Sequence, residues 1–208
     1  LNSFGVAAFV LRYRHAPGYA HPVPMQDACR AVRWARASSA ALGVDPKRIG
    51  VLGFSAGGHL AATVATQFDS GDTSASDPKD RVSSRPDFAI LCYPVITMTD
   101  PHTHTGSRQN LLGTKPSRAL IAKMSAERNV TPRTPPVYLF HTTDDDAVPV
   151  ENTLLFFAAC RKAGVPVEMH VYRSGPHGVG LDRHSPVATW GPLARDWLSN
   201  LGILHKSG

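Results

Sequence analysis

Residues 48–58 read RIGVLGFSAGG, and this stretch decides the fold. Its first part is short and apolar, which predicts a buried β-strand over residues 48–54. A Gly-x-Ser-x-Gly pentapeptide follows at once, with Ser55 at its centre. The alanine-rich segment after it predicts a helix over residues 55–68. The stretch therefore predicts a strand, a sharp turn that carries a serine, and a helix.

The residues around Ser55 are expected to be small for steric reasons. Such a turn holds its serine in a strained backbone conformation, and side chains at Gly53 and Gly57 are expected to collide with neighbouring atoms. The N-terminus of the following helix favours negative charge that develops nearby. The backbone N–H of Ala56 is the expected first donor to an oxyanion. A glycine-rich turn with an accidental serine is the ordinary alternative, and the strand–turn–helix context argues against it.

Strands and helices alternate along the rest of the chain. Further strands are predicted from short apolar runs over residues 6–14, 88–95, 137–141 and 167–173. Helices are predicted from apolar positions at helical spacing over about residues 25–42, 151–163 and 190–201. Gly43 and Gly164 are expected to end two of them. This alternation predicts an α/β fold with a mostly parallel sheet and helices on both faces, in a single domain over residues 1–208.

A long insertion is predicted over residues 97–136. It contains one helix pattern, at about residues 117–128, between two predicted strands. Because it follows the carboxyl end of a strand, where functional residues collect on parallel sheets, the insertion is expected to cap or line a site.

Two further segments follow predicted strands and should reach the same edge of the sheet as Ser55. Asp144, Asp145 and Asp146 are consecutive, and chemistry alone leaves open which of them faces the site. His177 lies in a glycine-framed turn after the last strand. The order serine, aspartate, histidine is the one expected for a Ser-His-Asp triad on such a sheet. A solvated acidic turn and a surface histidine are the alternatives, since the chain has ten histidines.

These residue types predict nucleophilic catalysis without a cofactor or a metal. His177 would accept the proton of Ser55 during attack on an ester carbonyl, and water would then hydrolyse the acyl-enzyme. His102 and His104 form a His-x-His pair, but no acidic or cysteine partner stands at ligand spacing, so a metal site is not favoured. His59, one turn into the helix after Ser55, is expected to be a packing or hydrogen-bonding residue.

Composition narrows the classes of partner. The longest apolar run, residues 4–11, is too short to span a membrane, and no targeting segment is evident, so we expect a soluble protein, either cytoplasmic or exported. The net charge of +6 comes from scattered basic residues, which favours a mildly basic surface over nucleic-acid binding. The three cysteines, Cys29, Cys92 and Cys160, fall in apolar patterns and are expected to be buried free thiols.

The motifs resemble those of bacterial α/β-hydrolase esterases of the acetyl esterase and acetylxylan esterase kind, which are related to the hormone-sensitive-lipase-like esterases. The matching segments are residues 9–14 (FVLRYR), 45–60 (DPKRIGVLGFSAGGHL), 85–96 (RPDFAILCYPVI), 141–152 (HTTDDDAVPVEN) and 175–181 (GPHGVGL). The resemblance covers nearly the whole chain and implies the α/β-hydrolase fold. It also implies that Asp145 is the carboxylate of the triad and His177 its base. Its implied substrates are short acyl esters, with acetylated sugars or xylan as candidates.

The sequence departs from this family at its beginning. Relatives carry an upstream strand and a glycine-rich loop of the HGGG or PGGG type, which supplies a second oxyanion donor. We expect these N-terminal strands to be absent here and the sequence to be an incomplete copy of a longer enzyme. An omitted central strand would leave a gap of about 10 Å, since neighbouring strands lie about 4.8 Å apart. The exposed strand edges would favour a homo-oligomer.

The expected function is therefore a serine carboxylic-ester hydrolase that acts on short acyl esters, chiefly acetyl esters of small molecules or carbohydrates. A peptidase or an acyltransferase could use the same triad. A fragment that lacks the second oxyanion donor could also keep the triad but be catalytically impaired, because the loss of one such donor lowers kcat about 10²–10³-fold.

Overall fold

The computed structural model describes residues 1–182, 184–185 and 187–204. The predicted domain over residues 1–208 also includes positions that lie outside the described residues. Four parallel strands form one sheet in the order β1-β2-β3-β4. They are β1 (Gly50–Phe54), β2 (Phe88–Cys92), β3 (Val137–Thr142) and β4 (Val167–Tyr172). Four of the predicted strands are thus confirmed.

Helices cover both faces of this sheet, as predicted. They are α1 (Val23–Ala37), α2 (Ser39–Leu42), α3 (Ser55–Thr66), α4 (Thr105–Leu112), α5 (Arg118–Met124), α6 (Glu151–Ala163) and α7 (Trp190–Asn200). Helices α3 and α6 lie on one face and α7 on the other. Gly43 (φ 65°) and Gly164 (φ 71°) end α2 and α6 in the left-handed conformation that glycine adopts without strain.

The buried strand β2 shows how one apolar run serves two cores. Ala89 and Leu91 point into the cluster formed with α3 and α6. Phe88, Ile90 and Cys92 point into the aromatic cluster around α7. Successive side chains alternate between the faces of a sheet, so a strand that is covered on both faces must be apolar throughout. This explains why β2 has no polar alternation in its sequence.

The register of the strands brings their carboxyl ends to one edge. Phe54 of β1 pairs with Cys92 of β2, and Cys92 pairs with Phe140 of β3. The residues that follow these strands therefore emerge side by side, as functional residues do on parallel sheets.

The strand predicted over residues 6–14 is wrong. These residues form no strand, and Phe9, Val10 and Leu11 are 56%, 94% and 41% exposed. A strand exists only as part of a hydrogen-bonded ladder, and within the described residues this segment has no ladder partner because the sheet ends at β1. The segment is apolar, but apolar composition alone does not supply a neighbouring strand.

The segment from residue 97 to 136 contains more structure than predicted. The expected helix at about 117–128 is divided into α5 and a short 3₁₀ turn, Ala126–Asn129. The division falls at Ser125, whose hydroxyl donates to the Ile121 carbonyl (2.9 Å) and accepts from the Met98 N–H (3.0 Å). Helix α4 was not predicted, because it has no strong apolar face. Apolar side chains of the segment form a buried cluster with Val95 and Val148, which follow β2 and β3.

Two further expectations concern the thiols and the membrane. Cys29, Cys92 and Cys160 are all buried and unbridged, as predicted. Burial raises the pKa of each thiol, to about 12 for Cys160. Among the residues described here, no helix has the length and apolar character needed to cross a bilayer.

Candidate active site

Ser55 stands at the junction of β1 and α3 in a left-handed backbone conformation. Its φ is 52°, which non-glycine residues adopt only when the surroundings impose it. Strand β1 ends at the preceding residue and α3 begins at Ser55 itself. The strained strand-to-helix turn predicted from the pentapeptide is therefore present, and the side chain of Ser55 faces the carboxyl edge of the sheet.

One of the two steric predictions for the glycines of this turn is confirmed. A Cβ at Gly53 would lie 2.1 Å from the carbonyl oxygen of Gly57, so any side chain there would displace the start of α3. The prediction for Gly57 is wrong, because a Cβ there meets no atom within 4 Å. Gly58 is the second constrained position, since its Cβ would lie 2.7 Å from Cβ of Pro94. The backbone carbonyl of Gly57 makes the close contact with Gly53, whereas a Cβ on Gly57 itself would point into unoccupied space.

The structure brings Ser55, His177 and Asp145 into a hydrogen-bonded chain. His177 Nε2 lies 2.8 Å from Ser55 Oγ, and His177 Nδ1 lies 2.7 Å from Asp145 Oδ2. In the neutral tautomer that fits both contacts, Nδ1–H donates to the carboxylate and Nε2 accepts from the hydroxyl. The side chain of Asp145 is 1% exposed and that of His177 is 21% exposed. A buried carboxylate, an imidazole and a serine hydroxyl thus lie in the order that proton transfer from the hydroxyl requires.

The environment of Asp145 keeps it ionised. Burial raises the pKa of its carboxyl, but the N–H of Val148 (2.9 Å), the hydrogen bond with His177 and the N–H of Ala147 (3.0 Å) outweigh burial and hold the pKa below its usual value. Two backbone donors also fix the orientation of the carboxylate. The side chain is therefore charged at neutral pH and cannot rotate away from His177 without leaving donors unpaired.

Asp145 alone of the three consecutive aspartates contacts His177. Asp144 accepts from the Ser174 hydroxyl (2.6 Å) and from the N–H of Gly175 (2.9 Å), so it anchors the loop that carries the histidine. The Ser174 hydroxyl and the Gly175 N–H lower the pKa of the Asp144 carboxyl. Asp146 is exposed.

His141 is a neighbour of the site that sequence reasoning missed. It is fully buried in β3, and its Nε2 lies 3.2 Å from Asp145 Oδ2 and donates to the Val148 carbonyl at 2.9 Å. Its Nδ1 lies 2.7 Å from Thr153 Oγ1 and accepts from that hydroxyl. Burial lowers the pKa of His141, although Asp145 opposes this, so the ring stays neutral. Asp145 therefore lies between two imidazoles. The available signal was the position of a histidine at the end of a buried strand.

Tyr93 is a second residue that was missed. It follows β2, its φ is 36°, and it is 4% exposed. Its ring packs edge-on against His177 with the centroids 5.0 Å apart. The sequence signal for Tyr93 was its position directly after β2. The strands on either side of β2 lead into Ser55 and into the turn with the three aspartates.

A cavity of about 180 Å³ opens beside Ala56. Residues from the segment before α1 and from the insertion line it, including Tyr13, His15, Tyr19, Met98, Asn110 and Leu111. Residues of the insertion therefore line a cavity that reaches Ala56, the residue after Ser55. The sequence did not indicate the contribution of the tyrosines before α1.

Two further histidines that the sequence analysis singled out, His59 and His104, make structural hydrogen bonds. His59 is buried in α3 and its Nε2 donates to the Met124 carbonyl at 2.8 Å, as expected for a packing and hydrogen-bonding residue. Burial lowers its pKa to about 4. His104 caps α4 by accepting from the N–H of Ser107 (3.3 Å). In the described part of the chain, no three histidine, cysteine or carboxylate side chains converge as a metal site would require.

Comparison with known proteins identifies a family. A family model described as BD-FAE matches residues 1–159. A crystal structure of an acetyl ester-xyloside bifunctional hydrolase from Caldicellulosiruptor lactoaceticus superimposes with a TM-score of 0.96 at 49% sequence identity, over 98% of this chain and 75% of that one. This likeness confirms the α/β-hydrolase fold and the resemblance to acetyl ester hydrolases.

Two curated relatives have longer chains. The chain is 36% identical to endo-1,4-β-xylanase B of Butyrivibrio fibrisolvens over 190 residues, which are 89% of this chain and 29% of that protein. It is 33% identical to the acetylxylan esterase of Xylanibacter ruminicola over 211 aligned positions, which cover 100% of this chain and 40% of that protein. The chain thus spans less than half the length of these two relatives.

Proposed function

Since the chain belongs to the BD-FAE family of α/β-hydrolases, we propose that it is a serine carboxylic-ester hydrolase for short acyl esters, chiefly acetyl esters. The observation that carries the proposal is the continuous contact from Asp145 through His177 to Ser55, at 2.7 and 2.8 Å. Such an arrangement makes a serine hydroxyl nucleophilic at neutral pH, because the imidazole accepts its proton as it attacks.

The geometry supports a two-stage reaction. In the first stage Ser55 Oγ attacks the ester carbonyl carbon while His177 Nε2 takes the hydroxyl proton. The N–H of Ala56 donates to the oxyanion of the tetrahedral intermediate, and the start of α3 adds favourable electrostatic potential. His177 then returns the proton to the departing alcohol, which leaves Ser55 acylated.

Water completes the second stage by the same route in reverse. His177 accepts a proton from the water as it attacks the acyl group. As the intermediate collapses and releases the carboxylic acid, His177 returns this proton to Ser55 Oγ. Asp145 stays ionised throughout and stabilises the imidazolium form of His177, as its lowered pKa and its two backbone donors indicate.

Acetylated carbohydrate is the proposed substrate class. The cavity beside Ala56 combines the tyrosines Tyr13 and Tyr19 with apolar side chains and with the polar groups of His15 and Asn110. Sites of this kind use apolar and aromatic surface for affinity and a few polar groups for orientation. The relatives named acetylxylan esterase and acetyl ester-xyloside hydrolase support an acetyl group on a xylan-type sugar as the natural ester.

A substrate panel tests this proposal. p-Nitrophenyl acetate, butyrate and octanoate, acetylated xylan and an aminoacyl p-nitroanilide are assayed with the chain and with Ser55→Ala. We expect kcat/KM to be highest for acetate, acetylated xylan to release acetate, the anilide to be stable, and Ser55→Ala to lose about 10⁵–10⁶-fold in kcat.

A fluorophosphonate probe provides a readout that needs no substrate. We expect the chain to be labelled at Ser55 and Ser55→Ala to remain unlabelled. Anilide turnover equal to ester turnover would indicate a peptidase, and acyl transfer to an added alcohol in preference to water would indicate an acyltransferase. Labelling without turnover of any ester would indicate a catalytically impaired chain, and no labelling at all would refute Ser55 as the nucleophile.

A further inference from the structure

We propose that Tyr93 and Trp190 position His177 by holding the peptide groups of Gly180 between them. The inference rests on the proposed function, because it assigns two positioning residues to the same site. Neither side chain exchanges a proton with the substrate in this proposal. Both act through the loop that carries the imidazole.

Gly180 is held through both of its backbone polar groups. Its N–H donates to the Tyr93 hydroxyl at 3.0 Å, and its carbonyl oxygen accepts from the indole Nε1–H of Trp190 at 2.9 Å. Gly180 lies three residues after His177, within the same loop. A displacement of this residue would therefore break two hydrogen bonds whose partners are 4% exposed and have little access to water.

The beginning of the loop is held in the same way. The N–H of Gly175 donates to Asp144 Oδ1 at 2.9 Å, and its carbonyl accepts from Thr142 Oγ1 at 2.8 Å. His177 thus lies between two residues whose N–H and C=O groups are both bonded to other segments. Gly178 and Gly180 have φ values of 83° and 53°, so the intervening backbone has no regular structure to stiffen it. The position of the imidazole therefore depends on the contacts at Gly175 and Gly180, together with the buried side chain of Val179.

Tyr93 and Trp190 are themselves rigidly placed. Tyr93 and Ser55 are the non-glycine residues with positive φ in the described part of the chain, and both follow a strand at the edge that forms the site. Backbone strain of this kind persists where the surrounding structure imposes it, and it concentrates at functional sites. The ring of Tyr93 packs edge-on against Phe140 (5.5 Å) and His177 (5.0 Å), and Trp190 stacks on Phe140 at 4.9 Å.

The chemistry of the tyrosine agrees with a positioning role. Burial raises the pKa of Tyr93, so its hydroxyl remains neutral at working pH and accepts the N–H of Gly180 as a phenol. The ring contact with His177 remains when the hydroxyl is removed. Tyr93→Phe therefore removes one hydrogen bond to the loop and keeps the ring contact with His177.

Tyr93→Phe and Trp190→Phe test the inference, with Tyr172→Phe as the matched control. Tyr172 packs against the same Phe140, but its hydroxyl contacts Thr189 and not the histidine loop. We expect kcat for p-nitrophenyl acetate to fall about five- to tenfold in Tyr93→Phe with KM unchanged. A decrease of this size corresponds to the net free energy of one hydrogen bond. Tyr172→Phe should keep kcat within about twofold of the wild-type value, because it removes an exposed hydroxyl that does not contact the histidine loop.

A proton NMR measurement makes the test independent of turnover. The proton between His177 Nδ1 and Asp145 gives a low-field resonance, which Asp145→Asn identifies by removing it. We expect this resonance to shift or broaden in Tyr93→Phe and in Trp190→Phe, and to be unchanged in Tyr172→Phe. Thermal unfolding confirms that each variant is folded at the assay temperature, and Trp190→Phe decides the question if Tyr93→Phe does not fold.

Two results would overturn the inference. One is a Tyr93→Phe variant with the same kcat and the same low-field resonance as the control. The other is a rise in KM with kcat unchanged, which would place Tyr93 in substrate binding. A wild-type chain that turns over no ester would refute the proposed function, and in that case the resonance in the variants would still decide whether Tyr93 and Trp190 position His177.

Discussion

The turn that carries Ser55 and the loop that carries His177 are held by different kinds of contact. Ser55 owes its position to backbone sterics within five residues, through its φ of 52° and the contact between Gly53 and Gly57. His177 owes its position to side chains distant in the sequence, such as Asp145, 32 residues away, and to the partners of Gly180, the farthest of which is 87 residues away. One half of the site is thus built locally and the other half by the tertiary fold.

This difference predicts how each half responds to change. A steric error in the Ser55 turn has no easy relief, because backbone atoms are in contact. The His177 loop is held by several hydrogen bonds, each with a modest net value, so the loss of one should reduce activity by degrees. Variants in the two regions therefore test whether the Ser55 turn and the His177 loop are held in these different ways.

Among the variants that alter how the two regions are held, the largest effect is expected at the carboxylate that orients His177. Asp145→Asn keeps the shape of the side chain but removes the charge and reverses a hydrogen-bond role, so the imidazole is held in the wrong tautomer. We expect kcat for p-nitrophenyl acetate to fall about 10⁴-fold. Asp146→Asn, at the exposed neighbour, is the matched control and should retain wild-type kcat. Equal losses in the two variants would show that the acidic turn as a whole, and not Asp145, is what matters.

The Ser55 turn is tested by two alanine substitutions four residues apart. In Gly53→Ala the new Cβ meets the Gly57 carbonyl oxygen at 2.1 Å, which must displace Ser55. We expect kcat/KM and the rate of fluorophosphonate labelling to fall about 10²-fold, the cost of a misplacement of about 1 Å.

Gly57→Ala is the counterpart, because its Cβ points into open space within α3. Replacing this glycine, which lies in the first turn of α3, by alanine should raise the free energy of unfolding by about 0.5 kcal/mol, and probe labelling should persist. Loss of labelling in Gly57→Ala with retention in Gly53→Ala would reverse the assignment of the constrained glycine.

The helix behind Ser55 is expected to make stability depend on pH through His59. Burial lowers the pKa of His59 to about 4 from its ordinary 6.5. Between these two pH values the unfolded chain binds a proton that the folded chain does not, so the free energy of unfolding falls as pH decreases from 6.5 towards 4. One-site linkage gives a loss of about 2 kcal/mol at pH 5 relative to pH 8.

Urea unfolding of His59→Gln at pH 8 and pH 5 measures this contribution. The difference between the two pH values should be smaller in the variant than in the wild type by that amount, because glutamine does not titrate. His184→Gln, at an exposed position, is the control for the loss of a histidine elsewhere in the chain. An identical pH dependence in His59→Gln would mean that folding does not lower the pKa of His59.

The smallest effect is expected at the exposed anchor of the His177 loop. Asp144→Ala removes the acceptor for the Gly175 N–H but leaves the Thr142 bond and both contacts of Gly180 in place. We expect kcat to fall about threefold, because water can replace an exposed acceptor. Ser174→Ala removes only the hydroxyl that binds the other oxygen of Asp144 and should have less effect still. A loss in Asp144→Ala as large as in Asp145→Asn would contradict the distributed support of the loop.

What the sequence could predict follows the same division. The Ser55 turn was predicted with its strand and helix, because local sterics require glycine at fixed positions in a short stretch. His177 was identified by its order in the chain, and Asp145 was separated from its neighbours only by resemblance to a family. Nothing local distinguishes three consecutive aspartates, and the N–H groups of Ala147 and Val148 select one of them only in the folded loop.

The failures have physical causes of the same kind. The strand predicted over residues 6–14 required a ladder partner, which apolar composition does not reveal. Whether a Cβ on Gly57 would collide with other atoms depends on how the rest of the chain packs around the start of α3. Tyr93 contacts a residue 87 positions away, and His141 contacts Asp145 only because the turn after β3 folds back onto that strand. Neither residue belongs to a motif whose spacing would indicate its place in the site.

The three buried cysteines have a practical consequence. Each thiol has a raised pKa and is shielded from solvent, so the chain offers alkylating reagents very little reactive thiolate. A single cysteine introduced at the exposed Leu181, beside the histidine loop, would therefore react selectively with a maleimide dye. Fluorescence experiments could then follow the loop during turnover without first replacing the three natural cysteines.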